Sequence, residues 1–145
     1  MSFKFKKPED SPGFLLWHIT HHWQRLQRDA LIKLHITHAQ FVVLACLLWC
    51  NHENKNNITQ QYICELSGID KMSLSDLIAT LEKKKLVKKI KSKSDKRAFV
   101  LSLTATGKKT AIKAVPMVEK IDRDFFHHQT AQLKKFLRLV HEISV

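Results

Sequence analysis

Residues 68–107, GIDKMSLSDLIATLEKKKLVKKIKSKSDKRAFVLSLTATG, decide the fold. Their first half sets Leu74, Leu77, Ile78 and Leu81 at steps of three and four, the spacing of one helix face. Then the character changes. Lys83–Arg97 reads KKKLVKKIKSKSDKR, with nine positive charges against one acid, Asp95, and with Leu86, Val87 and Ile90 interrupting the run. RAFVLSL (Arg97–Leu103) follows with the alternation of a strand. Two short strands joined by a basic, glycine-free tip make a positive hairpin. Phosphate neutralisation is the plainest reason for such a device, a solvated lysine-rich surface the bland alternative.

Upstream, Thr59 reads as the N-cap of a short helix burying Ile63 and Leu66, and Gly68 as its left-handed stop. Two helices separated by SGID make a helix-turn-helix. Before them NHENKNN is a loop, and a helix over His38–Trp49 is apolar nearly all round, as a core helix is. A first helix opens near Pro12, with Leu15, Ile19, Trp23, Leu26 and Ala30 recurring. Downstream, LTATG closes the hairpin and launches a long helix that Pro116 is expected to interrupt or kink. A last helix carries Leu133, Phe136, Leu137, Val140 and Ile143. The expected fold is mainly α with a small β-hairpin wing. A winged helix-turn-helix lobe at 36–107 lies between dimerisation helices at 11–33 and 108–145, whose apolar faces so small a winged core cannot cover alone.

Composition agrees. A net charge of +12 in 145 residues draws polyanions, and 44% hydrophobic residues exclude a disordered chain. Only three Gly and three Pro argue against an all-β fold. No apolar run is long enough to span a membrane, and MSFKFKKPED lacks the apolar core of a signal peptide. Cys46, Cys50 and Cys64 are an odd set within helical patterns, fitting a reducing compartment; a cytoplasmic protein is expected.

ITHAQFVVLACL, GIDKMSLSDLIATLEKKKLV and SDKRAFVLSLTATG, at unbroken spacing, resemble the MarR (multiple-antibiotic-resistance-type) family of bacterial regulators over most of the chain. The resemblance implies a homodimer joined through its first and last helices. It implies binding to a pseudo-palindromic operator in double-stranded DNA, often with release by a small-molecule effector or an oxidant. The helix from Lys71 would then enter the major groove, offering Lys71, Ser73, Ser75, Asp76, Thr80 and Lys83. Asp76 departs from the family, where arginine is frequent; it would either accept from a cytosine amino group or balance neighbouring lysines. Lys91, Lys93, Lys96 and Arg97 lie on the wing, with Asp95 as the partner of Arg97 in the family's Asp-x-Arg pattern. In the resembled proteins that arginine lies in or beside the minor groove. Ser92 stands where the family often has a second acid. Thr59, Gln60 and Gln61, at a helix N-terminus, would meet phosphate or simply cap and solvate. Phe14, Trp17, Trp23 and Trp49 are candidates for an effector pocket, against the plain reading of core aromatics.

Other chemistries find little support. His18, His21 and His22 share a helix face, with His127 and His128 near the last helix, but no acid or cysteine with ligand spacing accompanies them, so no metal is expected. Cys46 and Cys50 lie at i, i+4 and read as small hydrophobes. No nucleophile motif, phosphate-cradling glycine loop or apolar carboxylate pair is present, so neither an enzyme nor a cofactor is expected. The sequence points to a sequence-specific transcriptional regulator, a repressor by preference. A nonselective architectural DNA-binding protein or an effector-free regulator on the same scaffold is the alternative.

The wing generates one prediction. Arg97→Ala weakens operator binding more than Lys93→Ala, although each removes one charge and lowers the salt slope by about 1. Asp95, two residues before Arg97, is expected to orient its guanidinium fork, whereas Lys93 offers only a point charge. Fluorescence anisotropy with operator DNA across a salt series measures both; equal losses would reduce the wing to a diffuse electrostatic patch.

Overall fold

The computed structural model describes residues 4–91, 99–126 and 130–144. Six α-helices and a two-stranded antiparallel hairpin follow in the order α1 (Pro12–Leu31), α2 (His38–His52), α3 (Gln60–Ser67), α4 (Lys71–Lys83), β1 (Val87–Lys91), β2 (Phe99–Leu103), α5 (Ala105–Phe126) and α6 (Thr130–Ser144). This is the mainly helical, winged fold expected.

Local chemistry sets the helix boundaries. The Ser11 hydroxyl accepts from Phe14 N ahead of Pro12, which needs no donor at the first helical position. α1 ends in a single 3-10 turn and His35 at φ 55°. Thr37 and Gln40 form a capping box at α2: the Thr37 hydroxyl accepts from Gln40 N, and Gln40 Oε1 accepts from Thr37 N. Thr59 caps α3 by accepting from Tyr62 N at 3.1 Å, and Gly68 ends it at φ 70°, as the sequence implies. Asp70 caps α4 by accepting from Ser73 N at 2.9 Å. The Ser73 hydroxyl and amide together hold the Asp70 carboxyl below its ordinary range. Asn54 and Asn57, in the expected loop, take the left-handed conformation that asparagine tolerates.

One core joins these elements. Leu44 and Leu47 of α2, Ile63 of α3, and Leu74, Ile78 and Leu81 of α4 are shut from solvent together with Leu31, Ala111 and Ala114. Val87, Leu101 and Leu103 close it from the wing side, with Val87 opposite Leu103 and Lys91 opposite Phe99. A bond from Leu101 N to Ile58 O, 2.8 Å, ties the hairpin to the segment entering α3. α5 runs unbroken through Pro116, so the expected interruption does not occur. The ring removes one backbone donor, and the surrounding turns carry the helix past it.

α1 meets α5 at a small polar joint. Asp122 Oδ1 accepts from Trp23 Nε1 at 2.8 Å and from the fully buried Gln27 Nε2 at 2.9 Å. The His38 ring lies edge-on to Trp23, and burial holds it below its ordinary pKa against the opposing pull of Asp122.

At the start of α5 the chain tolerates no side chain. A Cβ on Gly107 would overlap the Leu86 carbonyl, backbone against backbone. Gly107→Ala is therefore expected to lower unfolding stability by about 3 kcal/mol. Gly13→Ala, where a Cβ meets only Ser11 Oγ at 4.0 Å, is expected to gain about 0.5 kcal/mol in helix propensity. Urea unfolding of the two variants checks the contrast; equal midpoints would remove the clash.

Candidate nucleic-acid interface

α4 divides cleanly into two faces. Leu74, Ile78 and Leu81 are fully buried, while Lys71, Met72, Ser73, Ser75, Asp76, Ala79, Thr80 and Lys83 are exposed. The first turn of α3 lies against this outer face: Gln60 Nε2 donates to Ser75 Oγ at 2.8 Å and to the Lys71 carbonyl at 3.4 Å. Three expected residues thus come together at one end of the interface. Gln61 instead donates to Glu65 one turn along, and the Thr59 hydroxyl is occupied as the α3 cap.

Other expected residues are partly committed within the lobe. The Thr80 hydroxyl donates to Leu77 O at 2.8 Å and accepts from Gln40 Nε2 at 3.0 Å, leaving an acceptor but no proton for DNA. Ser73 is engaged with Asp70. No described lysine lies within 4.0 Å of the Asp76 carboxylate. Lys91 is exposed at the outer end of β1, facing the same side as Lys89 and Phe99. Lys93, Asp95, Lys96, Arg97 and Ser92 lie outside the described residues.

Sequence reading missed two residues here. Met72 projects with 79% of its surface exposed, an apolar side chain able to meet a thymine methyl. Its signal was available, since it falls off the Leu74–Ile78–Leu81 stripe. Lys84 belongs to the basic run but is engaged within the lobe, its ammonium donating to the His35 carbonyl at 2.6 Å and to Gln40 Oε1 at 2.9 Å. That latch ties the end of α4 to the start of α2, and only tertiary structure reveals it.

The four aromatic residues offered for a pocket do not share one. Trp23 lines an apolar groove of about 550 Å³ between α1 and α6. Phe14 and Trp17 stack on the exposed start of α1, their centroids 6.4 Å apart. Trp49 lies under Lys55, whose ammonium is 4.8 Å from its ring and donates to Tyr62. The separation follows from α1 projecting its first turns past the core while Trp49 sits at the far end of α2.

Each histidine of the α1 cluster has aromatic company: His18 against Phe14, His21 against Trp17, and His22 against Phe125. Among the described residues no three His, Cys, Asp or Glu side chains converge as metal ligands; His127 and His128 lie outside them. Burial and the neighbouring Cys50 push the Cys46 thiol above its ordinary pKa, and burial raises Cys50 against the opposing charge of Lys55. Both shifts favour the protonated thiol. No single helix among the described residues is long and apolar enough to cross a membrane.

Known proteins share this architecture. The MarR family model matches residues 36–99. An uncharacterized HTH-type transcriptional regulator of Bacillus subtilis, YdcH, is 41% identical over 133 residues, 91% of this chain and 87% of that protein. The organic hydroperoxide resistance transcriptional regulator of the same organism is 30% identical, covering 78% of this chain and 74% of its own. Among solved structures, a mutant MarR from Escherichia coli complexed with operator DNA superposes with a TM-score of 0.79 at 25% identity, over 96% of this chain and 99% of that one. A Staphylococcus aureus MepR–DNA complex gives 0.83 at 20% identity, over 96% and 100%. The chain belongs to the MarR family of winged-helix transcriptional regulators. Its relatives are regulators rather than enzymes.

The Lys84 latch separates scaffold from interface within one basic run. Lys84→Met is expected to cost about 1–3 kcal/mol in unfolding stability, since it strips a charged donor from two acceptors. Lys83→Met, on the exposed face, is expected to stay within about 0.5 kcal/mol of wild type. Chemical denaturation of both variants compares them, and a Lys84→Met midpoint equal to that of wild type would dissolve the latch.

Proposed function

We propose that the protein is a homodimeric, sequence-specific DNA-binding repressor in the bacterial cytoplasm, acting on a pseudo-palindromic operator in chromosomal DNA. The observation that carries this reading is the division of α4: an apolar face sealed into the core and a hydrophilic face presented whole to solvent, braced by the first turn of α3. A helix so held fits the major groove, and the basic hairpin beside it reaches flanking phosphate or the minor groove. Lys71, Ser75, Met72 and Asp76 are the proposed base readers; Lys83, Lys91, Lys93, Lys96 and Arg97 supply charge. The operator-bound MarR among the similar structures supports DNA as the partner.

The dimer reading rests on surface left open. Leu16, Trp17, Phe136, Leu137 and Leu139 are all at least 44% exposed on α1 and α6, flanking the apolar groove. A second copy of the same helices covers such a face and sets two α4 helices about one DNA turn apart. Effector release is proposed at the α1–α5 joint, where Gln27 Oε1 is buried without a hydrogen-bond partner among the described residues. A hydroxyl or amide donor on a small molecule would satisfy that acceptor. A similar structure, BpsR of Bordetella bronchiseptica, concerns regulation of DNA binding by 6-hydroxynicotinic acid.

Footprinting at the promoter beside the chain's own coding region, together with light scattering, tests the reading. The wild type is expected to scatter as a dimer and to protect two half-sites about one helical turn apart. Leu137→Asp combined with Val140→Asp is expected to yield monomers and to weaken operator binding at least about tenfold. A folded wild-type monomer would overturn the dimer, and equal affinity for operator and random duplexes would favour the architectural alternative.

A further inference from the structure

The α4 sequence, KMSLSDLIATLEK, contains no arginine, and its lysines stand at its first and last positions, Lys71 and Lys83. A guanidinium bidentate on guanine is therefore missing from the body of this helix. Opposite the buried Leu74, Ile78 and Leu81 runs the line Met72, Asp76, Ala79 and Lys83, exposed throughout. The hydroxyls of Ser73, Ser75 and Thr80 flank that line, and each already has a bond within the lobe, to Asp70, Gln60 and Gln40 respectively.

Two members of the outward line are apolar. Met72, in the first turn, keeps 79% of its surface exposed, and Ala79 lies on the same side further along. Pressed onto a base edge, such side chains strip water from it and return no hydrogen bond of comparable strength, which disfavours the polar edges they cover. The apolar group that an unmodified base pair offers in the major groove is the thymine 5-methyl. Methionine is unbranched and flexible at three bonds, so it can be laid along that methyl. Alanine brings a methyl on the shortest stem and lets the helix backbone come close to the bases.

We propose that Met72 and Ala79 read thymines through their 5-methyl groups, at two separate positions of each operator half-site. Specificity along the centre of α4 then rests on apolar contact, with the hydroxyls at its flanks in a lesser part. The proposal deepens the reading of α4 as the groove-entering helix and rests on it. In unmodified DNA thymine is the bearer of this group. 5-Methylcytosine carries the same methyl beside a different hydrogen-bonding edge, which separates recognition of the methyl from recognition of the base.

The full chain is first used to select bound duplexes from a randomised library. Each thymine of the selected duplex is then replaced by deoxyuridine, which removes the methyl and keeps the hydrogen-bonding edge, and affinity is read by fluorescence anisotropy. Two thymines per half-site are expected to be sensitive, each exchange weakening binding about fourfold, the worth of one buried methyl. Cytosine placed at either position is expected to gain a similar factor on 5-methylation. Met72→Ala should abolish the thymine-to-deoxyuridine ratio at one position and keep it at the other; Ala79→Gly should do the reverse, and Met72→Leu should retain both. Each ratio is taken within one variant, so a general loss of affinity or stability cancels. A ratio that survives Met72→Ala at both positions overturns the role of Met72, and one that survives Ala79→Gly at both overturns that of Ala79. A motif indifferent to deoxyuridine and to 5-methylcytosine overturns the methyl reading and leaves the groove reading standing. A wild-type selection with no enriched motif overturns the groove reading and this proposal with it.

Discussion

The Leu86 carbonyl is the point on which the geometry turns. α4 ends just before it, with Lys85 in the left-handed conformation at φ 57° and Leu86 N bonded back to Leu81 O at 2.9 Å. The wing starts there and returns there: Thr104 N donates to Leu86 O at 3.0 Å and the Thr104 hydroxyl to Lys85 O at 2.7 Å. The same hydroxyl accepts from Gly107 N, starting α5 directly over that carbonyl. α4, the wing and α5 therefore share one junction. Any side chain at position 107 would pry α5 off the wing root. The spacing of two groove-bound α4 helices in a dimer would inherit its precision from this contact.

The two ends of that lever are built differently. The winged lobe is dense, with Leu44, Leu47, Ile63, Leu74, Ile78 and Leu81 almost wholly shut from water. The start of α1 and Phe136, Leu137, Leu139 and Val140 of α6 leave large apolar side chains open, because among the described residues α6 packs mainly on α5. Between them lies the joint at Asp122, one carboxylate oxygen shared by Trp23 and Gln27. A buried amide with one end satisfied and the other bare is a costly arrangement in a low-dielectric interior. That cost is what a donor arriving at the joint would relieve, and it gives the proposed effector response a physical basis in Gln27 rather than in the aromatic residues alone.

Much of the fold was legible because its determinants are local. Thr59 followed by a short amphipathic run, Gly68 after it, and the step from a 3.6 to a 2.0 period at Leu86 each carry their own geometry, and the structure places the cap, the stop and the strand accordingly. Pro116 does not interrupt α5, because a proline's cost is local while its tolerance is tertiary. The candidate interface was legible as a face but not as a set of roles. Whether Thr80 still has a proton to give depends on Leu77 and on Gln40, forty residues away. Part of the Ser75 hydroxyl is likewise engaged by Gln60 in another helix. Phe14, Trp17, Trp23 and Trp49 share a residue class but not a location, and only packing could separate them.

The basic run shows the same division within one motif. If all nine cations between Lys83 and Arg97 met phosphate, counterion release would give a salt slope of about −8. Folding diverts some of them. Lys84 is spent on the His35 carbonyl and Gln40, and Lys89 lies 3.8 Å from Glu82, which also accepts from its backbone N–H. Leu86 and Val87, the apolar interruptions, are buried, so the lysines around them stand at defined places on a hairpin instead of trailing from it. A charge that must hold the end of α4 against α2 cannot also neutralise a distant phosphate. Part of the basic run thus serves to hold α4 in place, and fewer of its cations are left for phosphate than the count of charges implies.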